Sequence, residues 1–161
     1  MPHQLARTLL ETVDREATHL GTVTDRDAGK KPAPKVWSKK EELGHLIDSA
    51  ANNHVRFVRA SLEREFRGLG YEQDGWVSLH AYNEMVWTEI IDFWRRYNHF
   101  LARLVERIPE DRLPAQCVVG DSMPVTLQFL IEDYILHMQH HLDHILAREK
   151  ITQYPGAAVG V

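Results

Sequence analysis

Residues 126–150, TLQFLIEDYILHMQHHLDHILAREK, read as one long helix, with Ile131, Ile135, Leu142 and Ile145 at helical spacing. Within it the run LHMQHHLDHI, 136–145, sets His137 and His141 one turn apart, with His140 and His144 beside them. On a helix such an i, i+4 pair has its Cβ atoms about 5 to 6 Å apart, near enough for both rings to meet one cation at roughly 2.0 to 2.1 Å per nitrogen. Neutral imidazole suits zinc, nickel, copper or iron, so the spacing points to a site without naming the ion. A His-rich helix end facing solvent is the alternative.

Working outward, Leu5, Leu9, Val13, Ala17 and Leu20 form the buried face of a first helix that ends near Gly21. The segment GTVTDRDAGKKPAPKV breaks the pattern, and Ser38 to Glu41 is a capping box that opens a second helix running to about Arg67, where Gly68 and Gly70 end it. A loop containing Trp76 leads to a third helix carrying Trp87, Ile90, Ile91, Trp94, Leu101, Leu104, Val105 and Ile108 before Pro109. A connection with Cys117, Gly120 and Pro124 precedes the fourth. No strand-and-turn series stands out, so the expected fold is all-α, a four-helix bundle in one domain over residues 1–150, with 151–161 (ITQYPGAAVGV) as a C-terminal tail. The three connections exceed the roughly 2 to 8 residues usual in bundles, which predicts crossovers. A second helix about 39 Å long can be spanned by a dozen extended residues, so helices two and three can run parallel.

Composition narrows the function. The 161 residues are 43% hydrophobic and 26% charged, ordinary for a globular domain, and the net charge of -4 mixes 19 basic with 23 acidic side chains. No basic stripe for nucleic acid and no apolar run for a membrane is present, which leaves small molecules or proteins as partners. One cysteine allows no internal disulfide, and MPHQLARTLLETVDRE lacks the apolar centre of a signal peptide, so a cytoplasmic location is expected.

The HxxxH pair needs a partner from a facing helix, and the second helix offers His45 and His54. His54 falls on the apolar stripe of Leu43, Ile47, Ala50 and Phe57; His45 lies opposite with Asp48, Ser49 and Asn52. Periodicity favours His54, whereas a polar stripe also suits a pocket wall.

Three segments, WSKKEELGHLIDSAANNHVRF, LHAYNEMVW and LHMQHHLDHI, resemble in order the signature regions of the DinB-like superfamily of metal-binding four-helix bundles, and most closely its YfiT branch, which includes bacillithiol transferases. The resemblance implies that His45 of HLIDS, His137 and His141 hold one divalent metal ion, with zinc or nickel expected and water completing the site. His54, His140 and His144 match no ligand position, and His3, His80 and His99 read as surface residues or helix-end partners. Asn83 stands where the family often has Asp, and Glu84, Asp48 and Asp133 are candidates for orienting a ligand or for solvent.

Three neutral ligands leave a coordination position open, the arrangement of a catalytic site. The resemblance implies transfer of a low-molecular-weight thiol to a small-molecule electrophile. Hydrolysis by activated water and a non-catalytic, stress-related metal-binding module are the alternatives, and no catalytic residue is assigned. Cys117, in a connection without a catalytic motif, reads as a small apolar filler. The high aromatic content and the habit of the relatives lead us to expect a homodimer.

Overall fold

The computed structural model describes residues 1–149, 152 and 154. Six helices follow in order: α1 (Pro2–Leu20), α2 (Asp25–Ala28), α3 (Lys39–Glu63), α4 (Gln73–His80), α5 (Trp87–Glu106) and α6 (Leu127–Ile145). Three short strands, β1 (Glu65–Gly68), β2 (Gln116–Val119) and β3 (Val125–Thr126), and two 3-10 turns, Tyr82–Glu84 and Glu110–Arg112, complete the described fold. The four long helices are the four expected from periodicity. Their core holds Leu43, Ile47, Trp87, Trp94, Leu101, Ile131, Ile135, Leu142 and Ile145, every one of them buried.

Helix ends follow local chemistry. At the start of α3, Ser38 Oγ accepts from Glu41 N at 3.1 Å and the Glu41 carboxylate accepts from Ser38 N at 2.7 Å, the expected capping box. The other end differs from expectation. Helix α3 stops at Glu63 because Arg64 adopts a left-handed conformation at φ 65°, and the chain then runs extended as β1. Gly68 therefore lies in a strand and does not cap the helix. Trp76 likewise lies in α4, not in a loop, and α2 occupies part of a segment read as irregular.

The strands form a sheet of order β1-β2-β3, with β1 parallel to β2 (Phe66 opposite Cys117) and β2 antiparallel to β3. Phe66, Cys117 and Val119 point inward, so this patch closes one end of the core. Burial raises the Cys117 thiol to about 11, which suits a packing role and not a nucleophile.

Contacts between helices define the topology. Lys40 Nζ donates to Met85 O at 2.7 Å, His54 meets Tyr97 further on, and Val58 and Leu62 share a cleft with Leu104 and Ile108. Helices α3 and α5 thus run parallel, joined by the long excursion 64–86. Opposite pairings make α3 antiparallel to α6, since Glu42 meets His144 while Phe57 meets Tyr134. Helix α1 is antiparallel to α5, with Leu20 O accepting from Trp87 Nε1 at 3.1 Å and Asp14 pairing with Arg95. The bundle is therefore up-down-down-up. Among the described residues no helix is long and apolar enough to cross a membrane. Most of the expected tail lies outside the described residues; Thr152 N donates to Asp143 Oδ2 at 3.2 Å, and the Tyr154 hydroxyl donates to Asp133 Oδ2 at 3.3 Å.

Candidate metal centre

The antiparallel contact of α3 with α6 brings His45, His137 and His141 together. Their ligand atoms lie within 4.8 Å of one another, and among the described residues this is the one group of three or more His, Cys, Asp or Glu side chains so placed. His45 Nε2 stands 3.2 Å from His137 Nε2. Two nitrogens each roughly 2.0 to 2.1 Å from one tetrahedral ion stand about 3.3 Å apart, so the spacing fits a shared cation. The ring centroids of His45 and His137 lie 4.8 and 4.5 Å from that of His141.

Burial prepares these rings as neutral donors. His45 is 0% exposed; burial, with His141 adding to it, pulls its imidazole down to about 3. His137 is brought to about 2 by burial, then by His141, His45 and His140. Both therefore keep a free lone pair at neutral pH, as a metal ligand must. Their Nδ1 atoms are buried without a hydrogen-bond partner, so among the described residues no acceptor holds the tautomer of either ring.

His141 is different. Its Nδ1 donates to Glu42 Oε1 at 2.8 Å, which leaves Nε2 for the shared centre. The same carboxylate accepts from His144 Nδ1 at 2.7 Å. Glu42 is the functional residue that the sequence reading missed. Its position one turn before His45, on the buried side of α3, was the available signal.

Other candidates fall elsewhere. His54 Nδ1 meets the Tyr97 hydroxyl at 3.1 Å and packs on Phe100, on the α5 side of α3. His144 pairs with Glu42, and the His140 ring lies 5.6 Å from that of Tyr154, tilted by 36°. His3 pairs with Glu106 and His99 with Asp14 at the surface. His80 is exposed at the C-terminal end of α4, a helix-end partner as expected, and its Nδ1 donates to buried Asp48 at 2.9 Å. The Tyr82 hydroxyl donates to the same carboxylate at 2.6 Å, and burial raises Asp48 against the pull of both partners. Asp48 thus neither orients a ligand nor faces solvent. Asn83 accepts from Ser38 Oγ at 2.7 Å and so ties the start of α3 to the turn at 82–84, while Glu84 is exposed.

Gly44 makes this packing possible. A Cβ there would stand 2.1 Å from the Tyr82 ring, so only glycine lets the ring lie against α3 and reach Asp48.

Aromatic rings wall the approach. Trp37 lies 4.9 Å and Tyr71 6.5 Å from the His45 ring, and Trp76 stands 5.3 Å beyond Tyr71. Two clefts of about 340 and 360 Å³ open beside Trp37, Glu42 and His144, rimmed by Lys35 and Asp74 in one and by Asp27, Lys30, Lys31 and Lys39 in the other. The arrangement can hold a metal between α3 and α6, with aromatic rings beside His45 and the clefts opening on the far side of Glu42.

The sequence pattern of the DinB superfamily matches residues 8–145. Among solved structures the fold is similar to that of YfiT from Bacillus subtilis, described as a probable metal-dependent hydrolase with an unusual four-helix bundle topology. The TM-score is 0.79 at 18% identity, covering 91% of this chain and 84% of that one. No match was found among curated proteins. With the family pattern spanning nearly the whole bundle, the chain belongs to the DinB superfamily.

Proposed function

We propose that this DinB-superfamily chain is a metal-dependent S-transferase. In this reading His45, His137 and His141 hold one divalent ion, zinc or nickel, and a low-molecular-weight thiol attacks an organic electrophile. A cation held by three neutral imidazoles supplies Lewis acidity that lowers the pKa of a thiol from its usual value of about 8.5. The thiol proton is released to solvent, a sulfur–carbon bond forms, and the leaving group departs with its electron pair.

The observation that carries this reading is the state of Glu42. It is the carboxylate bonded to the triad, and two imidazoles already occupy it. Metal-bound water would ionise as well, but expelling the amine or alkoxide of an amide or ester calls for a proton donor, which a carboxylate already accepting from two imidazoles is not. An ionised thiol needs none. Trp37, Tyr71 and Trp76 add apolar surface suited to an organic electrophile.

Hydrolysis is the second reading, favoured by the description of the similar Bacillus subtilis structure. One assay separates them. With 1-chloro-2,4-dinitrobenzene and each of bacillithiol, mycothiol, glutathione and cysteine, the zinc- or nickel-loaded protein should accelerate thiol conjugation, and a chelator should abolish the gain. Activity that persists without metal contradicts the proposal. Cleavage of model esters without thiol dependence supports the hydrolase, and silence in both assays supports a non-catalytic module.

A cytoplasmic location, where small thiols stay reduced, and a homodimer belong to the same reading. Phe93 and Phe100 on α5 and Leu62 on α3 are exposed apolar side chains available for self-association. A solution mass equal to the single-chain 18.6 kDa would rule the dimer out.

A further inference from the structure

The polar stripe of α3 does not end at the triad. Beyond His45 it continues through Ser49 and Asn53 to Arg56, all three buried. Arg56 is only 2% exposed, yet it forms no ion pair among the described residues. Its Nη1 donates to Asn53 Oδ1 at 3.4 Å, and its Nη2 has no partner among the described residues. Of the buried carboxylates, Asp48 Oδ1 is engaged by Tyr82 and His80 and Asp133 Oδ2 by Tyr154; Asp48 Oδ2 has no partner among the described residues, and neither carboxylate pairs with Arg56.

A guanidinium stays charged even when burial lowers its pKa, as it does here. Leaving such a charge desolvated and unbalanced is costly, and an anion from a ligand offsets the cost. Tyr71 links this group to the metal centre. Its ring stacks on that of His45, 6.5 Å between centroids, and its hydroxyl is buried without a hydrogen-bond partner among the described residues; burial and Asp48 raise the phenol, and the Arg56 charge works the other way. Eleven residues separate His45 from Arg56, about 16 Å along the helix. Helical side chains lean toward the N-terminus, and the Arg56 bond to Asn53 shows that lean, so the guanidinium stands nearer the triad than that.

We infer that Arg56, with Asn53, Ser49 and the Tyr71 hydroxyl, binds a carboxylate of the thiol substrate whose sulfur is directed to His45, His137 and His141. The planar guanidinium fork matches the two oxygens of a carboxylate. The substrate is thus an elongated acidic thiol with its carboxylate remote from its sulfur. This inference deepens the S-transferase reading and rests on it.

The test uses S-methylglutathione, which keeps two carboxylates but has no free thiol, so its binding does not depend on thiol chemistry. Calorimetric titration into the metal-loaded protein should show binding. Its diethyl ester should bind about tenfold more weakly or worse. Arg56→Gln should weaken S-methylglutathione by a similar factor and erase the preference over the ester. Arg56→Lys, which keeps the charge but loses the fork, provides the same reading if the glutamine variant does not fold, and Tyr71→Phe should weaken binding severalfold. No binding to the wild-type protein, or equal binding of acid and ester, overturns the inference. So does unchanged affinity in whichever Arg56 variant folds. Failure of the S-transferase reading shows separately, as absent thiol-dependent turnover with this binding intact.

Discussion

Single residues decide whether the triad is a site or a coincidence of histidines. The HxxxH spacing was legible at once because helical geometry alone puts His137 and His141 on one face. The choice of His45 over His54 came from the resemblance of HLIDS to the family motif, since apolar periodicity pointed to His54. Periodicity finds the side of α3 that packs on α5, where His54 meets Tyr97, and is blind to a polar face buried under a loop. Glu42 escaped notice for a related reason: a glutamate in the first turns of a helix reads as a dipole partner, and only the α6 contact shows what it holds. Glu42→Gln should leave the fold intact and weaken zinc or nickel binding about 10- to 100-fold. Competition titration against a chromophoric chelator measures it. An affinity equal to wild type would remove Glu42 from the site.

Elements were legible in proportion to their length. Long amphipathic helices repeat their signal over five turns, so α1, α3, α5 and α6 stand out. Strands of four and two residues show too little alternation to be recognised, and β1 forms only because β2, some fifty positions later, pairs with it. Helix pairs also predict acid sensitivity. Glu16 on α1 is 1% exposed and meets Arg148 just after α6 at 2.9 Å. Burial alone would raise its carboxyl, but Arg148, His19 and Arg15 bring it down to about 2 from the ordinary 4.5. Its stabilising contribution is therefore complete above pH 4.5 and is lost as pH falls toward 2. Glu16→Gln should cost about 1 to 3 kcal/mol at pH 6 and progressively less below pH 4. Urea unfolding of both proteins across that range checks this, and a difference independent of pH would show that the pairing contributes nothing.

At the scale of the whole molecule, the up-down-down-up order is what makes the site. Parallel α3 and α5 require a long excursion, and that excursion carries Tyr71 and Trp76 over the polar face of α3. The excess length of the connections announced the crossover, but not that it would fold into α4 and a strand. Antiparallel packing of α3 on α6 then brings the first turns of one against the last turns of the other, which is where all three imidazoles meet. The central claim is that these three rings bind one metal ion together. Elemental analysis of purified protein, wild type beside His45→Ala, His54→Ala and the double variant His137→Ala/His141→Ala, tests it most directly. The account predicts about one zinc or nickel per chain in wild type and in His54→Ala, and near-complete loss in His45→Ala and in the double variant. Stoichiometric metal in the double variant, or loss with His54→Ala and not with His45→Ala, would contradict it.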